Sequence, residues 1–513
     1  MKLNIYEEAS RCLLCEDAPC TKACVTGDPA RAIRAIRFDN HKPALRWVKN
    51  CTDDDLERAE QACIHPGGPV RIKEMVRSIS PDDVDLEWFT VEGEGLKVKG
   101  PSLNIDFCGI PCESPFFLAS SAVCTNYEMV ARAFDAGWAG VFYKTICLQE
   151  IREVSPRFDA MHNNATHGDF YGFRNMEQLS ENPVEMDFDI LRRLKQDYPA
   201  KVVVASIMGQ TEEEWIKLAQ MAEAAGVDAV ELNFSCPQMM HKGMGSDVGQ
   251  SPELVNTYTA CVKSAVKIPV IPKMTPNITH IAEPAAACVD AGADAISAIN
   301  TIKSVTMMAE AEVAGQRTIS GYSGRAVRPI ALRHILELAQ MRNNSQFSTL
   351  NSQFELSGIG GIETWRDALE FIQLGCSNVQ VCTAVMQYGY RIIDDLTLGL
   401  QRYMVKRGIT QLQQLVGEQL PKFLNPDHLD RETIVYPKID RDQCIGCGRC
   451  YVSCMDGGHQ AIAFERLRVG DETSGITDTR QPRILGTKCV GCHLCRLVCS
   501  TGAIGVTKRI KKK

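Results

Sequence analysis

The chain has 513 residues, of which 45% are hydrophobic and 23% are charged. This composition is normal for folded domains, and the length fits about two to four of them. A net charge of −7 and a pI of about 5.9 argue against general binding to nucleic acid or anionic membranes. Because the sequence has no apolar signal core and no long apolar run, we expect a cytoplasmic chain without a membrane span. Its 23 cysteines then indicate metal ligation rather than disulfides.

Residues 1–80 are rich in Cys, Arg and Ala and are predicted to be helical. Their cysteines form the run Cys12-x2-Cys15-x4-Cys20-x3-Cys24, followed by Cys51 and Cys63. Thiolates at this spacing can bind one iron–sulfur cluster from a single loop and helix start. Structural zinc is the second interpretation, because Cys-x2-Cys also suits a tetrahedral zinc ion.

Residues 81–102 are acidic and then Gly-rich, and are predicted to be a linker. A hairpin is expected at 105–111, and residues 103–410 then alternate strand-like with helical stretches. The predicted strands are 115–120, 140–144, 201–207, 227–232, 268–272, 293–298, 354–356 and 378–382. The helical stretches include 212–225, 252–266 and 328–341. This alternation predicts an α/β fold, a (β/α)8 TIM barrel. A doubly wound sheet is the alternative, but no Gly-x-Gly-x-x-Gly follows the first strand.

Residues 411–435 are predicted to connect the barrel to a third domain, 436–513, which ends in a short basic tail. This domain repeats one cysteine pattern, first as Cys444-x2-Cys447-x2-Cys450-x3-Cys454 and then as Cys489-x2-Cys492-x2-Cys495-x3-Cys499. In bacterial ferredoxins, three cysteines of each such run bind one [4Fe–4S] cluster and the fourth binds the other. We therefore predict two clusters here. Met455 and Ser500 replace the proline that usually follows the fourth cysteine.

The stretch 231–238, Glu-Leu-Asn-Phe-Ser-Cys-Pro-Gln, is where we expect the chemistry. It follows an apolar strand, and Pro237 prevents further pairing. Asn233, Ser235 and Cys236 are therefore expected at the C-terminal end of a strand, which is the active-site rim of a β/α barrel.

Other strand ends carry groups suited to a cofactor and a ring. Gly360 and Gly361 follow strand seven, where barrels often bind phosphate through backbone N–H groups, and Gly321 could add a wall. Lys144 and Lys273 end two further strands and could steady an anionic ring or oxyanion. Amide and hydroxyl groups, which suit a cyclic imide such as uracil, come from Asn175, Asn233, Asn300 and Thr301. Taken singly, these residues also fit turns, caps and surface positions.

Over about residues 103–507 the chain closely resembles the dihydropyrimidine dehydrogenases, and more narrowly the pyrimidine-reducing subunit of the bacterial two-subunit enzyme. The resemblance lies in the ferredoxin pair and in segments 118–121, 143–145, 154–158, 175–177, 205–209, 233–237, 273–277, 299–301, 320–324 and 357–363. It implies an FMN barrel related to dihydroorotate dehydrogenase. It also implies reversible reduction of uracil or thymine to the 5,6-dihydropyrimidine.

The resemblance further implies residue roles. Contacts to FMN would come from Ala119, Ser120, Lys144, Thr145, Lys273, Gly321, Gly360, Gly361, Cys382 and Thr383. The pyrimidine would be held by Asn175, Asn233, Phe234, Ser235, Asn300 and Thr301. Cys236 would protonate C5 after a hydride from FMN reaches C6. A free thiol has a pKa of about 8.5 and is mostly protonated at neutral pH, so it can act as an acid.

Residues 11–80 resemble a shortened form of the family's helical iron–sulfur domain, and nothing resembling its FAD and NAD(P)H domains follows. We therefore expect electrons from an FAD- and NAD(P)H-binding partner subunit, and an oligomer. The resemblance assigns one N-terminal [4Fe–4S] cluster to Cys12, Cys15, Cys20 and Cys63. The alternative replaces Cys63 with Cys24, which needs no long-range closure.

Three other functions compete with this one. A dihydroorotate dehydrogenase would need a cation for the orotate carboxylate near Asn175 or Asn300. A tRNA dihydrouridine synthase also combines FMN with a cysteine, but the acidic charge and the lack of a basic domain argue against it. A pure electron carrier would use the barrel only as a scaffold.

Overall fold

A computed structural model describes residues 3–79, 89–92, 95–98, 100–162, 170–237, 244–307, 312–342, 354–469 and 477–512. The chain divides into two compact units, Met1–Pro421 and Lys422–Lys513. Within the described ranges, no helix is both long enough and apolar enough to cross a membrane.

The first unit begins with short helices, as the sequence predicts. They are α1 (Ile5–Ser10), α2 (Pro19–Ala23), α3 (Pro29–Arg37), α4 (His41–Val48), α5 (Asp53–Gln61) and α6 (Ile72–Arg77). Local residues define their starts: Asp28 caps α3, which opens on Pro29, and Thr52 forms a capping box with Asp55 at α5.

Two hairpins follow, one of which the sequence analysis missed. They are β1 (Phe89–Glu92) with β2 (Gly95–Val98), and β3 (Ile105–Phe107) with β4 (Ile110–Cys112). The second confirms the hairpin expected at 105–111. The first lies inside the predicted linker, where the sequence Gly-Glu-Gly between alternating apolar residues was its signal. The rest of that linker up to residue 99 lies outside the described residues.

Twelve further strands of the first unit follow in chain order. They are β5 (Phe116–Leu118), β6 (Gly140–Phe142), β7 (Phe158–His162), β8 (Phe170–Asn175), β9 (Val202–Ile207), β10 (Ala229–Asn233), β11 (Val270–Lys273), β12 (Ala295–Ala298), β13 (Ile302–Ser304), β14 (Ser320–Ser323), β15 (Glu355–Ile359) and β16 (Asn378–Val381). Eight of them close into a parallel barrel in the order β5-β6-β9-β10-β11-β12-β15-β16. The predicted TIM barrel is confirmed, and all eight predicted strands belong to it.

Helices cover the barrel between its strands. They are α7 (Tyr127–Ala136), α8 (Val184–Asp197), α9 (Glu212–Ala225), α10 (Pro252–Ala265), α11 (Ala282–Asp290), α12 (Arg328–Arg342), α13 (Trp365–Gln373), α14 (Thr383–Tyr388) and α15 (Ile392–Arg407). Local signals again set their ends: Thr211 caps the start of α9, and Gly226 ends it in the left-handed conformation.

The four strands that do not join the barrel form an antiparallel sheet in the order β13-β14-β8-β7. This sheet is inserted in the loops after barrel strands. Its register pairs Gly321 with Asn175, which brings two distant segments beside the carboxyl ends of the barrel strands.

The N-terminal helices pack on the barrel at α15. The Arg34 guanidinium donates to the Asp395 carboxylate at 2.7 Å, and the Asn40 amide donates to the Asp395 carbonyl at 2.8 Å. The Phe38 ring lies in the barrel's own hydrophobic core and meets the Tyr388 ring edge-on at 5.3 Å between centroids. These contacts fix the helical segment to the barrel.

The second unit is small and built on short hairpins and two helices. Its elements are β17 (Thr433–Ile434), β18 (Pro437–Ile439), α16 (Arg449–Gly457), β19 (Ile462–Val469), β20 (Thr477–Ile484), α17 (Leu494–Leu497), β21 (Ile504–Val506) and β22 (Ile510–Lys511). Pairing of β17 with β22 and of β18 with β21 closes the unit from both ends.

Candidate active site

One cavity opens at the carboxyl ends of the barrel strands, where the sequence predicts the site. It encloses about 1070 Å³, counting its open mouth. The predicted site residues that line it are Ala119, Ser120, Lys144, Thr145, Asn175, Asn233, Cys236, Lys273, Asn300, Thr301, Gly360, Gly361, Cys382 and Thr383. Most of these residues come from separate barrel strand ends, which barrel closure brings together, whereas Asn175 comes from β8 of the inserted sheet.

Three predicted site residues do not line this cavity. The Phe234 ring is fully buried against Trp215 and Tyr258. Ser235 is buried behind the wall, and Gly321 lies in the inserted sheet, where a Cβ atom would come within 2.2 Å of the Thr301 hydroxyl. Phe234 thus anchors the strand end, whereas Ser235 and Gly321 support residues that do face the cavity.

A hydrogen-bonded chain holds the amide side chains. The Asn233 Nδ2 donates to Thr145 Oγ1 at 2.9 Å, and the Ser235 hydroxyl donates to Asn233 Oδ1 at 2.8 Å. Asn300 Nδ2 donates to the same Ser235 hydroxyl at 2.9 Å. Ser235 therefore couples the orientations of two distant amides, because Asn233 ends β10 and Asn300 follows β12.

Both cavity lysines are buried beside carboxylates, a pairing that the sequence did not predict. Lys144 Nζ lies 2.8 Å from Glu177, and Lys273 Nζ lies 3.5 Å from Glu231. Glu231 also accepts from the Ser206 hydroxyl at 2.9 Å and from Ser297 at 3.1 Å. A buried cation is retained only when it is paired, and these carboxylates provide the pairing. Glu231 lies in the middle of β10 and Glu177 lies two residues beyond the end of β8, so no signal in the sequence paired either with a lysine.

Two glycines in the loop after β15 form one wall of the cavity. Gly360 has φ +126° and Gly361 has φ +75°, and a Cβ on Gly361 would lie 2.9 Å from the Gly324 carbonyl oxygen. The Ser323 and Thr383 hydroxyls are 2.9 Å apart beside them. Burial raises the pKa of the neighbouring Cys382 thiol, which therefore adds no negative charge. Closely approaching backbone and hydroxyl groups together suit a phosphate.

The barrel floor holds an unpaired acceptor. Gln380 lines the cavity and donates through Nε2 to the Ser297 and Ser357 hydroxyls at 2.9 and 2.7 Å. Its Oε1 is buried without a hydrogen-bond partner among the described residues. A buried acceptor of this kind suits a ring N–H. A phosphate cradle, two paired lysines and this acceptor together fit FMN.

Cys236 is buried at the cavity wall, and its carbonyl accepts from the Ser246 amide at 2.9 Å. Gln238, the last residue of the stretch singled out in the sequence, lies outside the described residues, as do those up to 243.

The N-terminal cysteines divide into two groups. Cys12, Cys15, Cys20 and Cys63 line one small cavity beneath Leu13 and Ile64. Cys24 and Cys51 do not line that cavity; their Sγ atoms are 3.3 Å apart. Across the described part of the chain, no three His, Cys, Asp or Glu side chains converge closely enough for a single metal ion. Four cysteines around a wider cavity suit a cluster better than one zinc ion.

The second unit contains two cysteine-lined cavities. Cys444, Cys447 and Cys450 share one with Cys499, and Cys489, Cys492 and Cys495 share the other with Cys454. Each cavity thus combines three cysteines of one run with the fourth of the other, which is the two-cluster ferredoxin arrangement.

The fold and the site define a class, the barrel oxidoreductases with a fused iron–sulfur domain, and comparison with known proteins agrees. The dihydroorotate dehydrogenase family model matches residues 102–404, and the 4Fe-4S dicluster domain model matches 437–506. The chain therefore belongs to the dihydroorotate dehydrogenase family.

Three relatives illustrate this membership. The NAD-dependent dihydropyrimidine dehydrogenase subunit PreA of Escherichia coli K12 is 49% identical over 408 residues, which cover 78% of this chain and 94% of PreA. The chloroplastic dihydropyrimidine dehydrogenase (NADP(+)) of Arabidopsis thaliana is 39% identical, over 64% of this chain and 80% of its own. The catalytic subunit of dihydroorotate dehydrogenase B (NAD(+)) of Pyrococcus abyssi is 36% identical, over 61% of this chain and 98% of the Pyrococcus subunit. The chain thus belongs with the dihydropyrimidine dehydrogenases and is an oxidoreductase.

Proposed function

We propose that this chain reduces the 5,6 double bond of uracil or thymine to the 5,6-dihydropyrimidine, reversibly. The observation that carries the proposal is the rim cavity, in which a buried thiol, three amides, two paired lysines and a glycine cradle meet. The similarity to PreA over most of both chains supports the choice of substrate class.

FMN fits this cavity, and when bound it would supply the hydride that adds to C6. Gly360, Gly361 and Thr383 would hold its phosphate through backbone N–H and hydroxyl groups. Lys144 and Lys273 would place positive charge beside the ring system, and Gln380 would accept a hydrogen bond from it.

The remaining groups would hold and protonate the pyrimidine. Asn175, Asn233 and Asn300 can each donate and accept, which matches the alternating N–H and C=O groups of a uracil edge. Thr301 lines the same wall. The Cys236 thiol would donate its proton to C5, and burial would exclude the water that could compete with it.

Electrons would come through iron–sulfur clusters from an FAD- and NAD(P)H-binding partner subunit. The three cysteine-lined cavities support one N-terminal and two C-terminal [4Fe–4S] clusters. PreA is named as a subunit of an NAD-dependent enzyme, which supports a separate partner here.

A second candidate is oxidation of dihydroorotate, and one observation favours it. Arg325 lines the same cavity, and its guanidinium could meet a substrate carboxylate. Its present distance to the Glu363 carboxylate is 3.7 Å. The match to the dihydroorotate dehydrogenase family model and the similarity to the Pyrococcus subunit also favour this second candidate.

An anaerobic titration of the flavin-loaded chain separates these candidates. We expect dithionite-reduced protein to be reoxidised by uracil or thymine, and the oxidised protein to be reduced by dihydrouracil. NADH alone should not reduce it, since a partner would be required. Reoxidation by orotate but not by uracil would assign the second function, and fast NADH oxidation by this chain alone would refute the partner.

A further inference from the structure

Two cysteines of the N-terminal helices belong to neither the proposed cluster nor the active site. Cys24 and Cys51 are both buried, each with 6% of its surface exposed. Their Sγ atoms lie 3.3 Å apart although 27 positions separate them in the sequence. The fold therefore brings two thiols into direct contact.

The surrounding backbone is shaped to seat the Cys51 sulfur. A Cβ atom at Gly27 would lie 2.4 Å from Cys51 Sγ and 2.5 Å from the Trp47 carbonyl oxygen, so no larger residue fits there. The Asp28 amide donates to that same carbonyl at 2.8 Å and holds the two segments together. This close approach is the role that glycine alone can fill.

The pair also joins the two segments that supply the proposed cluster ligands. Cys24 is the C-cap of α2, the helix that carries Cys20. Cys51 immediately precedes Thr52, which caps α5, and α5 leads to Cys63. A bond between Cys24 and Cys51 would therefore brace both segments.

We propose that Cys24 and Cys51 form a reversible intrachain disulfide, a redox modification site separate from the flavin and the clusters. Disulfide sulfurs are about 2.05 Å apart, so side-chain rotations need to close the present gap by roughly 1.2 Å. The chain is expected to be cytoplasmic, and disulfides in that reducing compartment are usually transient and catalytic or redox-sensing. A reversible bond therefore fits the expected compartment.

The reaction balances as thiol–disulfide exchange with a small-molecule disulfide such as oxidised glutathione. One cysteine attacks the reagent and releases one glutathione, and the second cysteine then displaces the other. One S–S bond forms in the protein and one breaks in the reagent. Two electrons and the two thiol protons pass to the two glutathione molecules. Burial raises the pKa of the Cys51 thiol, so we expect slow exchange at neutral pH.

The test uses the whole flavin- and cluster-loaded chain under anaerobic conditions. It is equilibrated at graded ratios of reduced to oxidised glutathione, quenched in acid, alkylated and digested for mass spectrometry. We expect the Cys24 and Cys51 peptides to become linked at oxidising ratios, with the loss of two hydrogen atoms in mass. Excess dithiothreitol should reduce the bond, so that both cysteines are alkylated again.

Two variants sharpen the test. Cys51→Ser should abolish the linked peptide while iron content and pyrimidine reduction stay unchanged. Cys288→Ser, which removes a fully buried single thiol, should leave the linked peptide intact. Alkylation of both thiols at every ratio, linkage to glutathione instead of to each other, or loss of iron in Cys51→Ser would each overturn the proposal. The linked peptide is read directly, so failure of the proposed pyrimidine chemistry would not imitate any of these results.

Discussion

At the scale of single residues, the proposed reaction depends on one thiol. Cys236 lies in the wall of the cavity and follows the amide-bearing end of β10. A general acid typically contributes about 10²- to 10⁴-fold to a rate. Removing this side chain should therefore remove the proton donor of the proposed reaction but leave the pyrimidine-binding residues in place.

We predict that Cys236→Ala keeps FMN and pyrimidine binding but slows reoxidation of the reduced protein by uracil by roughly 10²- to 10⁴-fold. The reoxidation rate of Cys236→Ser should lie between those of the unmodified protein and Cys236→Ala, or be as slow as that of Cys236→Ala, because a hydroxyl is a weaker acid than a thiol. Anaerobic stopped-flow absorbance of the flavin measures the step. Cys261→Ala, a partly buried thiol on α10, is the matched control. Normal turnover in Cys236→Ala would remove Cys236 from the mechanism.

A second residue acts through its neighbours. The Ser235 hydroxyl joins Asn233 to Asn300, so its loss leaves both amides less well oriented. We predict that Ser235→Ala weakens uracil binding about tenfold, corresponding to about 1.4 kcal/mol, with FMN content unchanged. Flavin difference spectra titrated with uracil give the Kd. Ser264→Ala, an exposed serine on α10, should leave the Kd as it is. An unaltered Kd in Ser235→Ala would contradict the positioning role.

At the scale of elements, the proposed phosphate site depends on the loop after β15. Gly361 has φ +75°, and its Cα faces the Gly324 carbonyl and the Arg328 backbone closely enough that a Cβ would come within 2.9 Å of them. An alanine there meets both backbone strain and a clash. The loop would have to move away from the phosphate position.

We therefore predict that Gly361→Ala is purified with little FMN, with a Kd for FMN at least tenfold higher. Fluorescence of released flavin measures the content. Gly226→Ala is the matched control, because Gly226 also has positive φ (+83°) but no atom lies within 4 Å of its Cβ position. It should lose stability by about 1 kcal/mol and still retain FMN. If Gly361→Ala retained flavin as well as Gly226→Ala does, the cradle would lie elsewhere.

At the scale of the whole molecule, the proposed electron path depends on the number of clusters. One N-terminal cluster and two in the second unit give about 12 Fe per chain. An N-terminal segment without metal gives about 8, and a full set of two N-terminal clusters gives about 16. Iron analysis of anaerobically purified protein distinguishes these counts.

Two substitutions then identify the fourth N-terminal ligand. Cys63 lines the same cavity as Cys12, Cys15 and Cys20, whereas Cys24 contacts Cys51. We expect Cys63→Ser to lose about four iron atoms per chain and Cys24→Ser to lose none. Iron loss from Cys24→Ser alone would restore the alternative in which the four cysteines of the first run bind the cluster.

The sequence by itself determined the barrel, because eight strand-like runs separated by amphipathic helices have few other ways to bury their apolar faces. It also determined the two-cluster domain, since the cysteine spacing is local and repeats. It pointed to the strand ends that meet in the cavity, because parallel strands present those ends at one rim. Assignments of individual residues within that rim stay predictions.

Only the tertiary structure decided which distant groups meet. It buried the Phe234 ring away from the cavity, and it paired Lys144 with Glu177 and Lys273 with Glu231. It also grouped Cys63 with the first cysteine run and left Cys24 beside Cys51. The physical reason is that sequence patterns reflect interactions between residues close together in the chain. Spacing and periodicity report contacts within a few residues along the chain, whereas charge pairing and sulfur contacts depend on how separate segments pack in space.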